Sequence, residues 1–190
     1  MQWQFTRHRD FEGQHAVFSA SQSSWLRYDD DRILDAYASK QAAAKGTRIH
    51  EWAKETILLG IKQPRSKRTL YAYVNDAIGF DMTPEVVLYY SPISYGTADA
   101  ISFDGKTLRI HDLKTGKVGK IESHLEQLEV YAALFCLEYH VKPRDIQIEL
   151  RVYKLDDVIC HAPSAEDIEF VMNKIIHINK LIENTVFKED

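Results

Sequence analysis

Two aspartates and a lysine carry the chemistry that stands out first. In the stretch "GTADAISFDGKTLRIHDLKTGK", residues 96 to 117, Asp99 and Asp112 flank a turn signal at Asp104-Gly105, and Lys114 follows two residues after the second aspartate. Successive side chains of a strand point to opposite faces, so Asp112 and Lys114 share a face and His111 points away from it. With a two-residue turn, Phe103 faces Lys106 and Asp99 faces Ile110. Asp99 then lies diagonal to Asp112, at roughly 7–8 Å. A four-residue loop sets Asp99 directly opposite Asp112. Either even length gathers Asp99, Asp112 and Lys114 on one face, whereas an odd loop or a bulge does not. Like charges facing across a strand pair are destabilising, and a bound cation offsets them. Carboxylates so placed suit Mg²⁺ or Mn²⁺, hard ions that prefer oxygen and retain waters for a substrate phosphate. A lysine beside them can hold a phosphate oxygen, position an attacking water or stabilise developing charge, a grouping suited to phosphodiester hydrolysis.

The elements that must position these groups are legible from periodicity. Ser19 or Ser21 can cap a helix running towards residue 40, with Trp25, Tyr28 and Leu34 on its apolar side. The alanine-rich pattern from about residue 42 to Gly60 reads as a second helix. Gly46, Ile49, His50, Ala53 and Ile57 follow helical spacing along it, which turns His50 towards the protein. "IKQPRSKRTL" is a basic loop broken by Pro64, and "LYAYVNDAIGF" reads as another short helix. From Thr83 to Gly116 the period becomes two. "EVVLYYS", "YGTADAISF" and "TLRIHDLKT" read as three strands. A helix follows over about 122–139, then a strand in "DIQIELRVYKL". A last helix is announced by Ser164 and Asp167 as a capping pair. The fold class is α/β or α+β, with helices covering a small mixed sheet.

Composition bounds the rest. At 190 residues, 45% apolar and 27% charged, the chain reads as one soluble domain over 1–190, with no internal repeat or linker. No apolar run is long enough to span a bilayer, and "MQWQFTRHRDF" lacks the apolar core of a signal peptide. Cys136 and Cys160 are too few for a disulfide framework or an iron–sulfur cluster, and fit a reducing, cytoplasmic setting. The net charge of −4 argues against nucleic-acid binding by bulk positive charge, but not against a carboxylate-rich site that acts on it. "GKT" at 105–107 is no P-loop, because Ala100 stands where the upstream glycine belongs. His8, His15, His111, His124, His140, His161 and His177 show no metal-ligand spacing. Trp3, Phe5 and Phe18 read as core or edge packing. Glu85, after Pro84, reads equally as a solvated strand-start residue or as a group within reach of the metal, and stays outside the ligand set.

Taken together, Gly46-Thr47-x-x-His50, Gly96-Thr97-Ala98-Asp99, Asp112-Leu113-Lys114-Thr115-Gly116 and Gln127-x-x-x-Tyr131 resemble the motif series of the RecB-like branch of the PD-(D/E)XK nuclease superfamily. The resemblance runs from about Gly46 to Tyr131. It implies the superfamily's restriction-endonuclease-like core, a small central mixed sheet flanked by helices. It implies His50, Asp99 and Asp112 as metal ligands, with the Leu113 carbonyl completing the set. Lys114 becomes the catalytic lysine, and Gln127 and Tyr131 support the site and the DNA backbone. In such an enzyme Lys67 and Arg68 of the basic loop, with Lys62, Arg65, Lys117 and Lys120, would meet DNA phosphates. The chain departs from relatives that carry four cysteines for an iron–sulfur cluster, and from those fused to helicases.

The expectation is therefore a free-standing, Mg²⁺- or Mn²⁺-dependent DNA exonuclease preferring linear ends. Recombination, repair or phage DNA processing is the setting, alongside recombination or replication proteins. The alternatives are a structure-specific endonuclease with the same site and a non-catalytic DNA-binding subunit with the same fold. Polarity, strand preference and oligomeric state are not encoded legibly.

Overall fold

The structure is a computed structural model and describes residues 23–66, 68–116, 121–154 and 157–186. The chain separates into two units, residues 1–45 and 46–190. In the first, a 3₁₀ turn at Ser23–Arg27 precedes the long helix α1 (Asp30–Leu58), which runs on into the second unit. The Arg32 N–H donates to Asp29 Oδ1 at 2.9 Å, and Asp30 and Asp31 occupy the first turn, where carboxylates complement the helix dipole. The caps expected at Ser19 and Ser21 lie outside the described residues. The two helices expected to either side of residue 41 are one. "KQAAAK" contains no breaker, and a single glycine at position 46 costs about 1 kcal/mol relative to alanine without ending the helix. The stop comes at Gly60, with φ +65°. There the Ile61 N–H reaches the Thr56 carbonyl and the Gly60 N–H reaches that of Ile57, the paired bonds of a left-handed helix cap.

The second unit is an α/β sandwich. After α1 come α2 (Thr69–Gly79), β1 (Thr83–Ser91), β2 (Ser94–Phe103) and β3 (Thr107–Lys114). The crossover helix α3 (Ile121–Glu138), β4 (Gln147–Lys154), β5 (Asp157–His161) and α4 (Ala165–Val186) complete it. The sheet order is β1-β2-β3-β4-β5. All neighbours are antiparallel except β3 and β4, whose parallel pairing requires the α3 crossover. One sheet face packs Leu88, Leu108, Ile110 and Leu150 against Leu128 of α3 and Ile168 of α4. The other packs Leu113 and Tyr153 against Ala53 and Ile57 of α1 and Tyr73, Val74 and Ala77 of α2. This is the small mixed sheet with flanking helices that the periodicity implied. β5 is an addition. Its five residues are largely exposed and too few to stand out in the sequence, so pairing with β4 defines it.

The β2–β3 turn is resolved in favour of the longer loop. Phe103 pairs with Leu108, leaving Asp104–Thr107 as the connection, so Phe103 does not face Lys106 and Asp99 does not face Ile110. Asp104 decides this. Its Oδ1 accepts the N–H groups of Lys106 and Thr107 at 2.9 and 2.7 Å, and its Oδ2 takes Arg109 Nη1 at 3.0 Å. Those backbone donors are spent on a side chain, and the pairing of β2 with β3 begins beyond them, at Phe103 and Leu108. No helix among the described residues is long and apolar enough to cross a membrane.

Candidate metal centre

The site lies where the sheet forks. Pairing between β2 and β3 runs from Phe103↔Leu108 to Ala100↔His111 and then stops. Beyond that point β2 continues alongside β1 alone, and β3 alongside β4 alone. Asp99 is the first residue past the last pair. Its Oδ2 accepts the Leu113 N–H at 2.9 Å, so a carboxylate fills the place of a strand carbonyl. Ala98 and Ala100 flank it yet sit in the cores of opposite sheet faces, which means that the alternation of β2 is broken at Asp99.

Three ligand-type side chains meet there. Helix α1 presents His50 one turn after Gly46, and its Nδ1 stands 3.5 Å from Asp99 Oδ2. On β1, Glu85 lies between the pairs Pro84↔Ala100 and Val86↔Ala98, opposite Asp99. His50, Glu85 and Asp99 each bring one ligand atom within 4.8 Å of the others. Glu85 has a left-handed backbone, φ +56°, a conformation that costs a non-glycine residue about 1 kcal/mol or more and concentrates at functional sites. In the sequence Glu85 reads equally as a solvated strand-start residue after Pro84, and only the folded sheet sets it opposite Asp99.

Asp112 and Lys114 stand on the facing branch. Asp112 is almost wholly buried. Its Oδ1 takes Lys114 Nζ at 2.9 Å, while Oδ2 is buried with no hydrogen-bond partner among the described residues. Lys114 Nζ also donates to Gln127 Oε1 at 3.0 Å, and Gln127 Nε2 donates to the Tyr131 hydroxyl at 2.9 Å. Gln127 therefore spends both ends of its amide on the protein. Leu113 gives its N–H to Asp99 and buries its side chain against α1 and α2.

Two glycines permit these approaches. A Cβ on Gly96 would fall 2.7 Å from Tyr131 Cε1, and one on Gly46 would fall 2.9 Å from Thr115 Oγ1. The first lets Tyr131 lie on β2; the second lets α1 reach the end of β3. Arg68, at the N-cap of α2, is exposed, with its guanidinium 5.9 Å above the Tyr71 ring. Lys67, Lys117 and Lys120 lie outside the described residues.

Electrostatics match the crowding of charge. Burial, then the Asp112 charge, push Asp99 up to about 6, against the pull of His50, the Leu113 N–H and Lys114. Tyr73 is raised far above the usual phenol range, by burial and then by Asp99, Glu85 and Asp112, so its hydroxyl stays protonated beside them. On α3, His124 is lowered by burial and then by Lys114 and Lys154.

The donor set fits a hard divalent cation: carboxylates, one imidazole and an unspent buried carboxylate oxygen. Ligand atoms around one hexacoordinate ion of Mg²⁺ size lie roughly 3–4 Å apart, close to the spread of the His50, Glu85 and Asp99 atoms. Comparison with family models, with curated proteins and with solved structures gives no match to this chain.

Proposed function

We propose that the chain is a Mg²⁺- or Mn²⁺-dependent deoxyribonuclease of the RecB-like kind, acting on linear DNA from its ends. One observation carries the reading. His50, Glu85 and Asp99 converge at the fork of the sheet, and the facing branch holds Asp112 with an unspent buried oxygen beside Lys114. His50, Glu85, Asp99 and Asp112 would hold the ion. When bound it supplies positive charge to a phosphodiester and acidifies a water. The Leu113 N–H fixes the Asp99 carboxylate, so its remaining lone pairs point at a constant place. Lys114 is held between Asp112 and Gln127, which aims its ammonium without need of substrate. A cation so prepared stabilises charge that develops on a phosphoryl oxygen, at no reorganisation cost. The preference for ends rests on the resemblance alone.

The deciding experiment digests end-labelled linear DNA and covalently closed circles, single- and double-stranded, in Mg²⁺ or Mn²⁺ and in EDTA. The expected result is metal-dependent release from linear ends and intact circles. Cut circles replace the exonuclease with an endonuclease. Binding of DNA without cleavage in either ion makes the chain a non-catalytic subunit.

A further inference from the structure

A pair of tyrosines stands on the β1–β2 hairpin beside the metal centre. Val86, Leu88 and Tyr90 of β1 and Ala98 of β2 pack towards α3, and a Cβ on Gly96 would meet Tyr131 of that helix. Alternation therefore turns Val87 and Tyr89, and across from them Thr97 and Tyr95, to the opposite face. On that face α1 and α2 pack over Ala100, Leu113 and Tyr153. Val87, Tyr89 and Tyr95 keep 53%, 46% and 62% of their surface. A contiguous patch of this kind marks an interaction site, where a single exposed apolar residue does not.

Tyr89 and Tyr95 are directly opposite one another. The Tyr89 N–H is given to Glu138 Oε2 at 2.7 Å, as in the non-hydrogen-bonded pairs whose side chains approach closest. The ring centroids are 6.4 Å apart and the ring planes 30° from parallel. Tyr95 precedes Asp99 by four residues and Tyr89 follows Glu85 by four, roughly 13 Å at about 3.3 Å per residue. Each strand thus leads from an exposed ring to a carboxylate of the metal centre. Glu85 and Asp99 are the only charged residues of the two strands, and they repel a polyanion until a cation is bound. What the hairpin itself offers a polynucleotide is therefore ring faces, not phosphate contacts. Every base has a π-face to lay on them, whatever the sequence. Bases inside a duplex are already stacked on one another, so the rings suit unpaired ones.

We infer that Tyr89 and Tyr95 form a stacking platform for unpaired bases of the substrate strand, a few nucleotides from the phosphate held at the metal centre. The assignment to a nucleic-acid strand rests on the nuclease reading above; the exposure and placement of the rings do not. Three labelled probes test it by fluorescence anisotropy, with Ca²⁺ in place of Mg²⁺: a short single-stranded oligothymidylate, a blunt duplex of equal length, and an abasic strand with the same phosphates. Tyr95→Ala and Tyr89→Ala are each expected to bind oligothymidylate about tenfold more weakly, the scale of one lost base–aromatic stack. Tyr95→Phe keeps the ring and should stay within about twofold of the parent. The abasic strand and the duplex should bind the parent and the alanine variants alike. Both side chains are exposed, so the urea midpoints of the variants should match the parent's.

Alanine variants that hold oligothymidylate as the parent does overturn the platform, and so do variants that lose as much on the abasic strand or the duplex. Metal-dependent cleavage by the parent in the same series keeps the nuclease reading standing when the platform falls. A parent that neither binds nor cuts any strand refutes both. A dimer that Tyr95→Ala dissolves in sedimentation, with oligothymidylate binding untouched, gives this face to a second copy of the chain and likewise overturns the platform.

Discussion

Lys114 divides its ammonium between Asp112 Oδ1 and Gln127 Oε1, so its position is set before any substrate arrives. In the proposed nuclease, a group held this way would act on the transition state more than on binding. Lys114→Ala should therefore lower kcat by about 10²–10³-fold with little change in DNA affinity. Single-turnover cleavage at saturating DNA is the measurement; a parental rate there, with only KM raised, would make Lys114 a mere phosphate contact. Glu85 tests the metal centre from the opposite branch. Its backbone is left-handed, and its carboxylate lies with His50 and Asp99. Glu85→Gln and Asp99→Asn are each expected to weaken Mn²⁺ binding by about tenfold or more in calorimetry, the scale of a lost charged contact. Without metal, Asp99→Asn should unfold at the parental temperature or above it, because removing a buried negative charge beside Asp112 relieves repulsion. Unchanged Mn²⁺ affinity in either variant removes that residue from the centre.

At the scale of elements, the glycines of the two motifs do different work. Gly96 admits the Tyr131 ring, which a Cβ would overlap, and Tyr131 leads through Gln127 to Lys114. Gly96→Ala should cost about 1–3 kcal/mol in urea unfolding, as overpacking does, and should slow cleavage by disturbing the lysine. Gly46 meets the Thr115 hydroxyl oxygen, which moves aside only if that side chain turns about its Cα–Cβ bond, and sits in a helix where alanine is favoured by about 1 kcal/mol. Gly46→Ala is accordingly expected to stay within about 1 kcal/mol of the parent. Equal costs for the two variants would mean that the contact with Tyr131 is not what position 96 protects.

On the scale of the whole molecule, acid sensitivity follows from a buried histidine on the sheet face away from α3. His111 is fully buried, edge-on to Phe80 and 3.2 Å from the Tyr153 hydroxyl, which donates to Asp76. Burial, then Arg151 and Arg109, push it down to about 3. Its folded pKa lies below the unfolded value of about 6.5, so as pH falls the unfolded chain takes the proton first. The stability is whole above pH 6.5 and is lost progressively as pH falls towards 3. Asp99, raised to about 6 from 3.8, works the other way, favouring the folded chain as pH falls through 6. Between pH 7 and pH 5 the parent should lose about 2 kcal/mol more stability than His111→Gln, read from urea midpoints at both pH values. Equal losses would mean that His111 takes up a proton without unfolding.

What lay open in the sequence was local. A period of two put Asp112 and Lys114 on one face, helical spacing put His50 on the inner side of α1, and Gln127 and Tyr131 a turn apart were bound to meet. Each of these follows from backbone geometry within a few residues. Other features depended on contacts that no short window contains. The Asp104 side chain, not the Asp-Gly pair, set the loop length. The parting of β2 from β3 turned Asp99 onto the Leu113 N–H, and the left-handed turn at Glu85 brought its carboxylate to His50 and Asp99, which alternation does not anticipate. Lys154 became a neighbour of Lys114 through the parallel register across α3, a pairing forty residues apart in the chain. Periodicity determines which way a side chain points. Which distant side chain it meets is decided by register, and register is set by the packing of whole elements and the hydrogen bonds between them.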